Sequence, residues 1–169
     1  MRETRAVREA RRAREFEAFV AGAGGRLLHT ATLLTAENDR DNPRARRLLT
    51  LALAHTYACW DRLRGEDPYH HARVRLALRF AHGAWHRYAV LPFGRGRQAA
   101  VGPLAGLTPQ ERLILVLRLY EGVAEEQVAA LLGLPGEHVR AVCDRATATL
   151  LHPPRGPAPA RVGAEVTVS

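Results

Sequence analysis

Between Leu107 and Leu151, three short apolar stripes at helical spacing follow one another with only glycine-bearing turns between them, and few folds accept that pattern. Thr108-Pro109-Gln110-Glu111 has the form of a capping box. In it the Thr hydroxyl accepts from the Glu111 amide, and the Glu111 carboxylate reaches back to the cap. Pro109 is preset for the first helical turn. The helix it opens is apolar at Leu113, Ile114, Val116, Leu117 and Tyr120 and ends at Gly122. A second covers about Ala124 to Leu132, with Val128, Ala129, Leu131 and Leu132 inward, and Gly133 suits the left-handed residue that closes a helix. Pro135 opens a third, with Val139, Val142, Ala146 and Leu150 on its buried side. Two short helices, a tight turn and a third amphipathic helix make a helix-turn-helix. The last helix of such a unit offers its first turns to the major groove of DNA. The exposed positions there are Glu137, His138, Arg140, Ala141, Asp144 and Arg145. Arg140 has the fork that pairs with guanine, and Arg145 is better placed for a phosphate.

The rest of the chain also reads as helix, so the expected fold class is all-α, in two small helical domains. The 169 residues are 47% hydrophobic with only 6% aromatics, a composition built on Ala, Leu and Val. Strands want β-branched and aromatic runs, and only Val162 to Ser169 resembles one. Residues 1–90 are expected to form the first domain, opening with a basic helix in which Arg2, Arg5, Arg8 and Arg12 share a face. Phe16, Phe19 and Val20 continue it, and Gly22, Gly24 and Gly25 are expected to break it. Leu27, Leu28, Ala31 and Leu34 restart a helix that stops in the polar turn Glu37 to Asn42, before Pro43. Arg44 to Leu63 is apolar on several faces. Asp67-Pro68 is an N-cap acid followed by Pro at the first helical position. The helix it opens runs to about Tyr88, with Val74, Ala77, Leu78, Ala81 and Trp85 inward. Residues 91–106, rich in Gly, Pro and Arg, read as a linker, 107–151 as the second domain, and 152–169 as a disordered tail.

The net charge is +8, and all 25 basic residues are Arg. That bias fits GC-rich coding as well as an anionic partner. The charge is uneven: residues 1–90 carry 17 Arg and 10 acids, whereas 107–151 carry 4 Arg and 6 acids. By counterion release, a module with that balance gains little from phosphates. Cys59 and Cys143 read as reduced thiols in separate segments, and no segment reaches the roughly 18 apolar residues of a membrane span, so the expected location is the cytoplasm. His82 and His86, His70 and His71, and His55 with Cys59 lie at helical spacing or adjacent. No further ligands stand at a fixed spacing from them, so the expectation is half-buried side chains with no metal. Neither a phosphate loop nor a nucleophile elbow is present. The expected protein is not an enzyme and has no cofactor.

The run Leu107-Thr-Pro-Gln-Glu-Arg-Leu-Ile-Leu-Val-Leu-Arg-Leu-Tyr-Glu-Gly122, with Glu126-Gln-Val-Ala-Ala-Leu-Leu-Gly133, Val139-Arg140 and Arg145-Ala146, resembles the C-terminal domain of extracytoplasmic-function sigma factors. The nearest type is the actinobacterial sigma-E-like group. Upstream, Phe19-Val20, Leu27-Leu-His-Thr-Ala-Thr-Leu-Leu-Thr35, Ala54-His-Thr-Tyr-Ala-Cys-Trp60 and Asp67-Pro68 are similar in order to that family's N-terminal domain. The resemblance spans about Phe16 to Leu151. It implies an alternative sigma factor whose partners are core RNA polymerase, promoter DNA and an anti-sigma or other regulatory protein. It implies promoter melting by Arg79, Trp85, His86, Arg87 and Tyr88, and a polymerase or partner contact at Arg46, Arg47, Leu49, Thr50 and Leu53. In the family the segment matching Ala45 to Leu53 carries an acidic pair; here Arg46-Arg47 inverts the charge, which points to a weakened polymerase contact. Two other readings stay open: a degenerate sigma-like regulatory protein without normal polymerase docking, and a helix-turn-helix regulator of the response-regulator type.

Overall fold

Proline, glycine and a few capping side chains divide the chain into helices. The computed structural model describes residues 2–90 and 100–152, with side chains for 5–84 and 100–152. Six α-helices follow in order: α1 (Arg2–Thr35), α2 (Pro43–Ala58), α3 (Pro68–Val90), α4 (Pro109–Leu115), α5 (Glu125–Leu132) and α6 (Gly136–Leu151). Short 3₁₀ turns occupy Trp60–Arg62 and Pro103–Gly106. The fold is all-α; among the described residues the only β pairing is an isolated bridge between Asn38 and Asp41. The strand-like end and the tail from residue 153 lie outside the described residues, as do residues 91–99 of the expected linker.

The expected break at Gly22, Gly24 and Gly25 does not occur: α1 is a single helix of 34 residues. A helical glycine costs about 1 kcal/mol relative to alanine, so three cost about 3 kcal/mol. Burial on both sides of them outweighs this. Upstream, Phe16 and Phe19 pack against Trp60, with ring centroids 5.1 and 5.4 Å away, and Phe16 also meets Tyr57. Downstream, Leu27, Ala31 and Leu34 are fully buried, each leucine contributing about 1.5–3 kcal/mol.

The turn after α1 is built from polar side chains that close on themselves. The Glu37 carboxylate accepts from the amides of Arg44 (3.1 Å) and Ala45 (2.7 Å) and from the Arg44 guanidinium (3.0 Å). It therefore caps the first turn of α2, since Asn42, the residue before that helix, makes no capping bond with its side chain. Burial alone would raise the Glu37 pKa, but the Ala45 amide and Arg44 outweigh it and hold the carboxyl below its ordinary value. Buried Asn42 donates to Thr32 Oγ1 and the Asp39 carbonyl, and accepts from Arg46. Buried Thr32 and Thr56 each return their hydroxyl to the carbonyl four residues earlier.

Helices α1, α2 and α3 pack on one another through small residues, among them Ala31, Ala45, Ala52 and Ala77. The start of α3 is as expected, with the Asp67 carboxylate accepting from the Tyr69 amide at 2.9 Å. The inward face of α3 is as expected only at Ala77 and Ala81. Leu78 is exposed, while Ala72, Leu76, Phe80 and Ala84 are buried beside Ala77 and Ala81. Packing on both α2 and the C-terminal helices rotates the buried stripe toward Leu76 and Phe80. The Trp85 side chain lies outside the described residues.

One buried apolar cluster joins the two halves, running from Leu34, Ala52, Leu76 and Phe80 to Leu113, Ile114, Val128 and Val139. Of residues 100–106, Val101 donates its amide to the Ala36 carbonyl at 2.9 Å, and Leu104 is buried. Both cysteines are free thiols, Cys143 buried and Cys59 partly so. No helix among the described residues is long and apolar enough to cross a membrane.

Candidate nucleic-acid interface

The C-terminal module starts where the capping box puts it. Thr108 Oγ1 accepts from the Glu111 amide, and Glu111 Oε2 accepts from the Thr108 amide at 2.9 Å. After Leu115 the helix widens into a π-turn over Val116–Tyr120, closed by the Glu121 amide on the Val116 carbonyl at 3.0 Å. Regular helix was expected to continue there to Gly122, with Tyr120 among its apolar positions. Instead Tyr120 is exposed and its ring lies 5.1 Å from His29, because the wide turn re-aims the side chains that follow it. Gly122 (φ 65°) and Gly133 (φ 66°) take the left-handed conformation at the ends of their helices. Helix α6 then packs on α4 and α5 through Val139, Val142 and Ala146, all nearly inaccessible.

That packing leaves one stripe of α6 in solvent. Glu137, His138, Arg140, Ala141, Asp144 and Arg145 are all exposed with the whole chain present. The two arginines are nonetheless engaged. Arg140 Nε and Nη2 donate to the two carboxylate oxygens of Glu125 at 3.1 and 3.0 Å, which raises the guanidinium pKa. Arg145 Nε donates to Glu111 Oε1 at 3.0 Å. Burial tends to raise the Glu111 pKa, but the Thr108 amide and Arg145 leave it lowered. Glu137, in the first turn of α6, sits where a helix N-terminus favours an anion. The stripe is therefore amphoteric, and its two arginines are matched by Glu125 and Glu111.

The other side of the module is held by a buried carboxylate that sequence reasoning missed. The Glu121 side chain is wholly inaccessible. It accepts hydrogen bonds from the hydroxyls of Thr30 on α1 and Tyr69 on α3, the latter at 2.9 and 3.0 Å. Arg26 and Arg73 lie 3.6 and 3.7 Å from Oε2. Burial and the bond to Glu121 push the Tyr69 phenol far above its ordinary pKa, so it remains a donor. An acid next to Gly122 reads as a surface residue, since its partners are 91 and 52 residues away.

The remaining expected sites are on the first three helices. On α2, Arg46, Arg47 and Thr50 are exposed, and Leu49 and Leu53 are half-buried. On α3, Arg79 is exposed; Trp85, His86, Arg87 and Tyr88 continue the same helix, but their side chains lie outside the described residues. The structure also brings His71 of α3 to His55 of α2 and to Cys59, which directly follows α2. The donor atoms of the three lie within 4.8 Å of one another. The sequence offered only the one-turn pair.

Residues 104–150 match the family model for sigma-70, region 4. The match covers the C-terminal module and stops short of helices α1 to α3. No curated protein matches the chain. The chain thus carries a sigma-factor-like helix-turn-helix module, of a DNA-binding, regulatory kind of domain rather than an enzymatic one.

Proposed function

We propose that this protein is an alternative sigma factor of the extracytoplasmic-function type, working in the cytoplasm, which binds core RNA polymerase and directs it to promoters. The observation that carries this reading is the open stripe of α6 within the region-4 match, exposed while α1 and α3 cover the module elsewhere. In it Arg140 reads a guanine and Arg145 grips a phosphate, flanked by Glu137, His138, Ala141 and Asp144. The outer face of α2, with Arg46, Arg47, Leu49, Thr50 and Leu53, meets polymerase. The end of α3, from Arg79 to Tyr88, meets the melting strand.

A second reading is supported by the charges. Arg46 and Arg47 are exposed where the resembling family has acids, and both arginines of the α6 stripe are occupied by carboxylates. In that reading the chain is a degenerate sigma-like regulator, and the apolar side of α2 around Leu48 to Leu53 meets an anti-sigma or other regulatory protein. One experiment separates the two: capture of core polymerase by the full chain, followed by transcription from promoters selected by the holoenzyme. Capture with promoter-dependent transcripts supports the sigma factor. DNA or protein binding without capture supports the regulator.

A further inference from the structure

His55 lies in the last turn of α2, Cys59 directly follows that helix, and His71 lies in the first turn of α3. All three are partly buried, and their nitrogen and sulfur donors lie within 4.8 Å of one another. The imidazoles are nearly parallel, with interplanar angle 7° and centroids 5.7 Å apart. His55 Nε2 is 3.7 Å from Cys59 Sγ. For tetrahedral zinc, with bonds of about 2.0–2.1 Å to nitrogen and 2.3 Å to sulfur, the nitrogen–sulfur edge is about 3.5 Å. His55 and Cys59 therefore already have about the separation of two ligands on one ion. His71 Nε2 is buried and makes no hydrogen bond. Ring packing alone leaves that nitrogen unsatisfied, at a cost of about 1–3 kcal/mol.

We propose that His55, Cys59 and His71 form a binding site for a borderline-soft transition-metal ion of the zinc class. Two imidazoles and one thiolate are the ligands such an ion takes, and His71, with a buried ring nitrogen that has no protein partner, is one of the two imidazoles. A water fills the fourth position. The Cys59 proton leaves as the metal–sulfur bond forms, and Arg62 Nη2, 3.3 Å from Sγ, donates to the resulting thiolate. Arg62, Arg75 and Arg79 act on His55 electrostatically and oppose a dication. The thiolate offsets one charge, so the affinity is below that of a Cys-rich structural site. Because α2 and α3 each supply ligands, the ion pins the two helices together and stabilises the folded chain by mass action.

The test is titration of tag-free, reduced, full-length protein with Co²⁺, followed by Zn²⁺ competition. One equivalent of Co²⁺ should give a thiolate-to-cobalt charge-transfer band and tetrahedral ligand-field bands, which Zn²⁺ abolishes while raising Tm. Cys59→Ser should lose the charge-transfer band, His71→Gln should weaken binding at least about tenfold, and Cys143→Ser should change neither. Absence of the band in the native chain overturns the proposal, as does its survival in Cys59→Ser or its loss in Cys143→Ser. Circular dichroism checks that each variant folds. If one does not, X-ray absorption of the zinc-loaded native protein decides: one sulfur, two imidazole nitrogens and one water oxygen support the site, and any other set of protein ligands overturns it.

Discussion

Arg140 on the exposed stripe of α6 is held in a two-pronged ion pair by Glu125, in the first turn of α5. The guanidinium best shaped to read a guanine edge is already making the two parallel hydrogen bonds that such an edge would offer. The guanidinium is exposed but the Glu125 side chain is largely covered, so DNA that takes Arg140 as proposed must displace a well-placed carboxylate, at some cost in affinity.

Three substitutions follow from that arrangement. Arg140→Ala should weaken binding to the preferred sequence at least about fivefold while sparing binding to unrelated DNA. Arg145→Ala should weaken both alike and flatten the salt dependence. Glu125→Gln should strengthen specific binding modestly, by about twofold to fivefold. Fluorescence anisotropy at two salt concentrations measures all three, and weaker binding by Glu125→Gln would show that the carboxylate assists the contact.

Glu121 joins α1 and α3 to the C-terminal module, and its partners act as one network. Glu121→Gln should cost about 1–3 kcal/mol, and Tyr69→Phe about 1 kcal/mol. The double variant should cost less than the sum. Urea unfolding of the four proteins gives the coupling, and strict additivity would mean that the two side chains do not interact.

Glu37 gives α2 a pH-dependent start. Its carboxyl has a lower pKa folded than its ordinary 4.5. Its contribution is therefore fully present above that value and is lost as pH falls through the lower, folded one. Glu37→Gln should cost about 1 kcal/mol at pH 7, and the gap from the native protein should shrink below pH 4.5. A gap constant down to pH 3 would contradict the cap.

Much of the fold was legible because the signals are local. The Thr108 capping box, the Asp67-Pro68 start and the Gly133 stop each act within about four residues, and each is in place. The exposed stripe of α6 was legible for the same reason, since helical periodicity alone separates Val139 and Val142 from Arg140 and Arg145. What was hidden depends on distant partners. The continuity of α1 across three glycines rests on Trp60 and the core, Glu121 on Thr30 and Tyr69, and the His71 contact on the way α2 and α3 lie together.

The continuity of α1 can itself be tested. A Cβ added at Gly22 or Gly25 would meet nothing within 4 Å. In an unbroken helix each change to Ala should raise stability by about 0.5–1 kcal/mol. Chemical denaturation reports the sign, and a loss at either position would place a turn there.

The charges on α2 divide the two functional readings. Arg46→Glu combined with Arg47→Asp should increase the association rate with core polymerase, most at low salt, if this face meets a basic rim. A titration at two salt concentrations measures it. Tight native binding that the double change leaves unaltered would put the contact elsewhere.

The Glu111 carboxylate divides its oxygens, Oε2 to the Thr108 cap and Oε1 to Arg145. A phosphate that takes Arg145 leaves the cap's own oxygen in place, so α6 can change partners without unwinding α4. Because one acid serves both contacts, the cap and the Arg145 ion pair are coupled, and the coupling free energy is the same read from either side. If the α6 stripe meets nucleic acid as proposed, Thr108, at the cap of α4 and outside that stripe, is a place from which its affinity can be tuned.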